Sequence, residues 1–476
     1  MLTEELAALV QTIRHQKAEH QTIEVKAAHT NCPKRLYDTL SSFSNQDSGG
    51  ILIFGLDERL GFEPVGVYDL QDLQKQVTEQ CNQMEPPVRA VFTIAEVDGA
   101  AVCSAEIPGI DLSERPCYYR GAGRIKGSYI RVGDADLPMT DYELYSFEAF
   151  RKHLHDDERP IERADIGLLD SDRVQHYLLR KRMERPGFAQ LTDAQSMEML
   201  NLTRNGKPTL AAIMNFCIYP QGYLPQLAIT AVVVSGQHIG EQEQDGPRFL
   251  DNKRIEGTIP AMVEEAITFC RRNMKTKTII DPKTGRRMDQ TEYPLEAIRE
   301  AVLNALIHRD YSHLTEGTPV QINFFSDRLE IHSPGSLYGR MTVEQLGYAR
   351  PDLRNPALAV MTEALAGAEN RYSGIPTIRR EMAQMGLPAP VFENRRNEFV
   401  VTLYNTASAK PESVGAVSLL EFCVQPRSRR EIADFLGLKT VSYAMERHIL
   451  PLLNEGKLAV TIPDKPKSTH QKFYTV

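Results

Sequence analysis

The stretch E-H-Q-T-I-E-V-K, residues 19–26, alternates apolar and charged residues in its second half, as a strand with one buried face does. Ile23 and Val25 then face one way and Glu24 and Lys26 the other. An acid and a base two residues apart on one strand face suit a surface pair, half of a metal site, or part of a nucleic-acid platform. The surrounding chain decides between them.

Upstream, M-L-T-E-E-L-A-A-L-V-Q-T-I-R-H-Q reads as an amphipathic first helix. It has early acids where a targeting peptide would have a basic segment and an apolar run. Downstream, a helix is expected from about Pro33 to Asn45, then a turn over 47–50. A fully apolar strand, I-L-I-F-G-L, ends at Asp57 and Glu58, and further strands fit Val88 to Val97, Ala101 to Ile107 and Ser128 to Val132. Gly49 and Gly50 permit a close approach of helix to strand, or of backbone to a phosphate. From Arg115 to Arg131 the chain has five Lys or Arg and no acid, a candidate for phosphate contact.

As a set, E-x-x-x-x-E-V-K, L-Y-D-T-L-S-S-F-S-N-x-x-x-G-G-I-L-I-F-G-L-D-E, R-P-C-Y-Y-R and S-Y-I-R-V-G resemble the AlbA-like domain of Schlafen proteins and bacterial regulators, over about residues 15–145. The resemblance implies a nucleic-acid-binding α/β domain. In animal Schlafen proteins it also implies a metal-dependent endonuclease with two glutamates and an aspartate, which here fall on Glu19, Glu24 and Asp57. Clustered carboxylates of that kind hold Mg or Mn to activate water. Lys26 would then face developing phosphorane charge. His20 departs from the family, where a small hydroxyl residue follows the first glutamate. Otherwise Glu24 and Lys26 form an exposed strand pair worth under about 1 kcal/mol.

The length of 476 residues implies several domains. The chain is 42% hydrophobic and 25% charged, with a net charge of −8. That balance argues against coating nucleic acid with the whole surface and directs attention to local patches. Seven scattered cysteines without a C-x-x-C pair signal neither a disulfide framework nor a zinc site, so reduced thiols and a cytoplasmic location are expected. No apolar run reaches the ~20 residues of a spanning helix, and no membrane partner is expected. A charged connector at 151–163 and a low-complexity linker at 406–414 mark seams. They divide the chain into an AlbA-like domain at 1–150, a mixed α/β linker domain at 164–290, a further domain at 291–406 and a C-terminal module at 415–476. In the middle, T-L-A-A-I-M-N-F and L-A-I-T-A-V-V-V read as buried strands. N-G-K-P-T at 205–209 lacks the first glycine of a P-loop and has Pro208 after its lysine, so no motor is signalled.

P-L-E-A-I-R-E-A-V-L-N-A-L-I-H-R-D-Y reads as a helix entered at Pro294. It places Glu300, Asn304 and His308 at i, i+4 and i+8 on one face. The Glu-to-Asn spacing resembles the N-box of GHKL ATPases, in which the Glu orients water and the Asn binds Mg. H-R-D-Y, D-R-L-E-I-H-S-P-G, L-R-N-P and S-G-I-P-T-I follow the order of the divergent GHKL-like domain found behind AlbA-like domains. The adenine-reading D-x-G-x-G is absent; H-S-P-G-S is the nearest stretch. The glycine-rich lid is reduced to Y-S-G-I, with Tyr372 beside Gly374. These departures point away from intact hydrolysis and toward residual ATP or small-ligand binding. Alternatively, Asn304, His308 and Arg309 form a polar network that holds the helix on its sheet.

The tail has the layout of a winged helix-turn-helix, with nine basic and five acidic residues from Arg427 to the end. Thr440, Ser442, Tyr443 and Arg447 would face a major groove, and Lys465, Lys467 and Lys472 would lie on the wing. The expected architecture is a multidomain α+β and α/β chain: AlbA-like domain, mixed α/β middle with a degenerate GHKL-like sandwich, and winged helix. The expected activity is that of a cytoplasmic DNA-binding transcriptional regulator, dimeric, with DNA preferred over RNA as partner. Lys26, Arg115, Arg120, Arg124, Lys126 and Arg131 are its candidate phosphate contacts. A metal-dependent nuclease, and after it an ATPase, are the enzymatic alternatives.

Overall fold

The computed structural model describes residues 1–239, 249–280, 287–366, 373–406, 419, 423, 427–435, 445, 449–454, 457–461 and 471–475. The chain divides into two units, Met1–Lys152 with Pro411–Val476, and His153–Lys410.

In the first unit, α1 (Thr3–Gln16) precedes β1 (Ile23–Lys26), α2 (Tyr37–Ser44), β2 (Gly50–Phe54), α3 (Leu70–Asn82), β3 (Val91–Val97) and β4 (Ala100–Ile107). The sheet order is β1-β2-β4-β3, parallel only between β1 and β2. Asp98 and Gly99, both at positive φ, close the β3–β4 hairpin with the backbone twist that two-residue turns require. Apolar side chains pack on both faces. Leu6, Val10 and Ile13 of α1 cover Ile23, Val25 and Ile53, and Leu40, Phe43 and Val77 cover Leu52, Phe54 and Cys103.

The glycine pair is explained by close packing of helix on strand. A Cβ at Gly50 would fall 2.3 Å from the Phe43 ring, and one at Gly49, where φ is +63°, 2.2 Å from the Ile107 carbonyl oxygen. Further on, α4 (Gly123–Gly127), β5 (Tyr129–Val132), β6 (Ala135–Pro138) and α5 (Asp141–Lys152) complete the N-terminal part.

The second unit carries α6 (Ser171–Glu184), α7 (Leu210–Phe216), β7 (Ile229–Val233), β8 (Asp251–Ile255), α8 (Ile259–Asn273), α9 (Leu295–His308), β9 (Val320–Phe324), β10 (Arg328–Pro334), α10 (Pro356–Ala366), α11 (Gly374–Gln384), β11 (Val391–Asn394) and β12 (Glu398–Tyr404). Its six-stranded sheet runs β8-β7-β9-β10-β12-β11, with only β7 and β9 parallel.

Two expectations change here. T-L-A-A-I-M-N-F is a helix, α7. A short, continuous apolar run does not distinguish a buried strand from a buried helix, and the Thr209 side chain, accepting from the Ala212 N–H at 3.1 Å, sets the helix start. The division at residue 290 does not coincide with a structural seam: β7 and β8, which precede it, pair into the same sheet as β9 to β12, and one core extends from Ile161 to Leu403.

In the C-terminal segment, β13 (Arg427–Ser428), α12 (Arg429–Phe435), α13 (Leu450–Asn454), β14 (Leu458–Val460) and β15 (Lys472–Thr475) are described, with sheet order β13-β15-β14. Ile432, Ile449, Leu452, Leu458 and Phe473 form its core. Thr440, Ser442, Tyr443, Arg447, Lys465 and Lys467 lie outside the described residues, as does Tyr372. All seven cysteines are free and buried. Among the described residues no helix is long and apolar enough to cross a membrane.

Candidate nucleic-acid face and ligand cavity

The strand reading of I-E-V-K holds, but its polar side is buried as well. Glu24 is 9% exposed and shares the sheet face of its register partner Leu52, the face that α2 covers. One carboxylate oxygen pairs with Lys26 and the other lies 2.8 Å from Arg131 Nη2. The same guanidinium reaches Asp136 at 2.9 Å and lies over the Phe43 ring. Asp136 in turn accepts from the Thr39 hydroxyl at 2.6 Å and the Ser42 hydroxyl at 2.5 Å. Asn45 bonds the backbone of Cys117 and Tyr129. The L-Y-D-T-L-S-S-F-S-N helix is thus tied by its hydroxyls and amide to β5 and β6.

Glu19 accepts from the Val25 N–H at 3.0 Å. Burial, with Glu24 and then Glu58 nearby, pushes its carboxyl up to about 7. Asp57 faces a different task, accepting from the Arg59 N–H at 2.9 Å to cap a short 3-10 turn. Among the described residues no three His, Cys, Asp or Glu side chains are placed to hold a metal ion. Both Glu24 oxygens are engaged by cations, Lys26 and Arg131.

The basic patch separates by burial. Arg131 and Arg115 are buried, the latter 2.5 Å from Asp47. Arg124 is half-buried against Glu148 at 3.0 Å, and Lys26 is engaged by Glu24. Arg115, Arg124 and Arg131 bind the domain together instead of facing solvent as free phosphate contacts, because acids distant in sequence, Asp47, Glu148 and Glu24, meet them in space. Arg120 and Lys126 stay exposed.

Beside Arg120 lies a groove that the sequence reading missed. Tyr37 and Tyr119 stack with centroids 4.2 Å apart and planes 11° apart, Arg35 lies over Tyr37 at 5.1 Å, and Lys34, Gln76 and Gln83 line the edge. The signal was K-R-L-Y, residues 34–37, a basic pair leading into an aromatic at a helix start.

In the second unit, α9 brings Glu300, Asn304 and His308 to the wall of one cavity of about 180 Å³, where Gly374 joins them. The helix is anchored by its end. Arg309 is fully buried and donates to the Thr315 and Thr318 carbonyls at 3.2 and 2.9 Å. Asp310 meets Arg354 at 3.1 Å, and Asn355 donates to the Ile307 and Arg309 carbonyls, each at 2.8 Å. H-R-D-Y and L-R-N-P therefore interlock. Of the network expected to hold the helix, Arg309 takes that role, while Asn304 and His308 make no hydrogen bond among the described residues. Glu300 makes none either, and burial raises its carboxyl. His308 is exposed at the cavity wall, and the protein around it, with Arg354 adding, holds its ring below the usual value.

Parts of both units match family models, the second match beginning after α9. Residues 19–140 match the Schlafen AlbA_2 family model. Residues 317–403 match a model described as "Putative ATP-dependent DNA helicase recG C-terminal". Among solved structures, the DIP2311 protein from Corynebacterium diphtheriae is 20% identical, covering 95% of this chain and 93% of its own, at a TM-score of 0.39. The N-terminal domain of a RecG-related putative ATP-dependent DNA helicase from Nitrosomonas europaea is 24% identical, covering 28% of this chain and 92% of its own, at 0.23. No curated protein matches the chain.

Proposed function

We propose that the chain is a DNA-binding transcriptional regulator in which the AlbA-like domain contacts nucleic acid and the second unit senses a small ligand. The carrying observation is the groove at Tyr37 and Tyr119. The stacked rings, with Arg35 over Tyr37 and Lys34 on the groove wall, combine phosphate attraction with an aromatic surface for unpaired bases. The match of this same domain to the Schlafen AlbA_2 model supports the reading. The C-terminal segment, with helices flanking a three-stranded sheet, is read as a winged helix adding a second DNA contact. A homodimer would double both and raise avidity.

The test is fluorescence anisotropy of the full chain with labelled duplex DNA, single-stranded DNA and RNA across a salt series. Binding should weaken linearly in log affinity against log salt, with DNA preferred over RNA. Lys34→Ala with Arg35→Ala should flatten that slope by about two phosphate contacts, roughly 0.7 to 0.9 each. Tyr37→Ala should cost about 1–3 kcal/mol on single strands. Equal binding by parent and variants would remove the groove from the reading.

A further inference from the structure

We infer that the cavity of the second unit takes a compact planar cation, a single ring bearing an amidine or amine, and not a phosphorylated ligand. The inference rests on reading that cavity as a ligand site.

Three observations carry it. The first is the set of unsatisfied groups. Glu300 and Asn304, half-buried, and His308, exposed, stand one helical turn apart and all reach the same cavity without a hydrogen bond among the described residues. Together they offer a carboxylate acceptor, an amide with both functions, and an imidazole with one donor and one acceptor.

The second is size. An apolar cavity of roughly 150 Å³ holds a benzene ring, so about 180 Å³ suits one ring with one polar substituent. Ile331, Ile378 and Val401 supply the apolar walls.

The third is charge. Glu300, Asp352 and Glu363 lie on the wall, whereas Arg354 is its only Lys or Arg among the described residues. The Arg354 guanidinium is committed to Asp310 and to the Ser336 carbonyl at 2.9 Å. Among the described lining residues an anionic ligand would meet the Glu300 and Asp352 carboxylates, and no cation except Arg354, which Asp310 already pairs. A planar cation would give the Glu300 carboxylate a charge-assisted, two-point partner.

The experiment is isothermal titration calorimetry of the full chain at pH 7.5 with three isosteres, benzamidine, benzamide and benzoate, and with Mg-ATP. Benzamidine should bind roughly tenfold or more tightly than benzamide, the usual gap between charged and neutral hydrogen bonds, and benzoate and Mg-ATP more weakly still. Glu300→Gln should bring benzamidine down to the benzamide level. Gly374→Leu locates the site: a Cβ there falls 2.8 Å from Glu300 Oε2 and 2.9 Å from Asn304 Nδ2, both ends of flexible side chains. It should abolish binding of both rings, with the melting midpoint confirming that each variant is folded. Tighter binding of benzoate or Mg-ATP, or benzamidine affinity indifferent to Glu300→Gln, overturns the inference while leaving a ligand site. Failure of all four probes overturns the site as well.

Discussion

Two rows of polar residues stand out in this chain, and the structure treats them in opposite ways. On β1, Glu24 and Lys26 are closed into a network with Arg131, Asp136, Thr39 and Ser42. On α9, Glu300, Asn304 and His308 open onto a cavity without a hydrogen bond among the described residues. A buried ionic group whose partners are all supplied from within fixes a conformation. A row left unsatisfied is poised for something from outside. The first region is therefore a frame for its domain, and the second has the properties of a site.

If that contrast is right, the largest effect comes from removing the shared cation of the closed network. Arg131→Ala leaves Glu24 and Asp136 buried without their guanidinium, and removing one partner of a buried pair costs about 3–5 kcal/mol. Thermal unfolding, with hydrogen exchange at the β1 amides to locate the loss, measures it. The triple variant Glu24→Gln, Arg131→Met, Asp136→Asn should recover much of the stability, since no buried charge is then left without its partner. A loss under about 1 kcal/mol for Arg131→Ala would return the pair to an ordinary surface role.

The sequence made these elements legible to different degrees. The I-E-V-K strand, the apolar β2 run and α9 could be read from periodicity, because each is long or regular enough for one face to declare itself. The coincidence of Glu300, Asn304, His308 and Gly374 followed from helical spacing and motif order. The burial of Arg115 and Arg131 did not, since their acids, Asp47, Glu24 and Asp136, lie up to 107 residues away. A basic patch in sequence cannot distinguish cations facing solvent from cations folded onto distant carboxylates. The sheet that crosses residue 290 was hidden for the same reason: β7 pairs with β9 in parallel across α8 and α9, and such long-range pairing leaves no local mark.

The two regions should also respond to pH with opposite sign. Glu19, beside the closed network, has its carboxyl raised from 4.5 to about 7, so the folded state holds a proton that the unfolded chain releases. Its contribution falls as pH rises from about 4.5 through 7. Glu19→Gln, which keeps an acceptor for the Val25 N–H, should remove that loss and add about 2 kcal/mol at neutral pH, after discounting for partial exposure. His308 has its ring lowered from 6.5 to about 4, so its contribution is full above 6.5 and lost as pH falls toward 4. His308→Gln should remove part of that acid sensitivity, solvent screening at the exposed ring keeping the effect small. Melting midpoints of parent and variants from pH 4 to 8 give both signs; like-signed responses would contradict the contrast.

The smallest effect discriminates most finely between frame and site. A carboxylate that serves the fold destabilises when neutralised, whereas one kept for a ligand is a burden to the empty protein. Burial raises the Glu300 carboxyl, and Glu296 adds to it. Among the described residues no cation bonds it directly: Arg299 is turned to Glu264 at 2.7 Å. Glu300→Gln should therefore leave stability unchanged or raise it by up to about 1 kcal/mol, while Glu24→Gln lowers it by about 1–3 kcal/mol through the loss of two charged partners. Denaturant midpoints with unchanged slopes measure both. Should Glu300→Gln destabilise as much as Glu24→Gln does, the α9 row would be part of the frame as well, held by an interaction that a ligand would have to break.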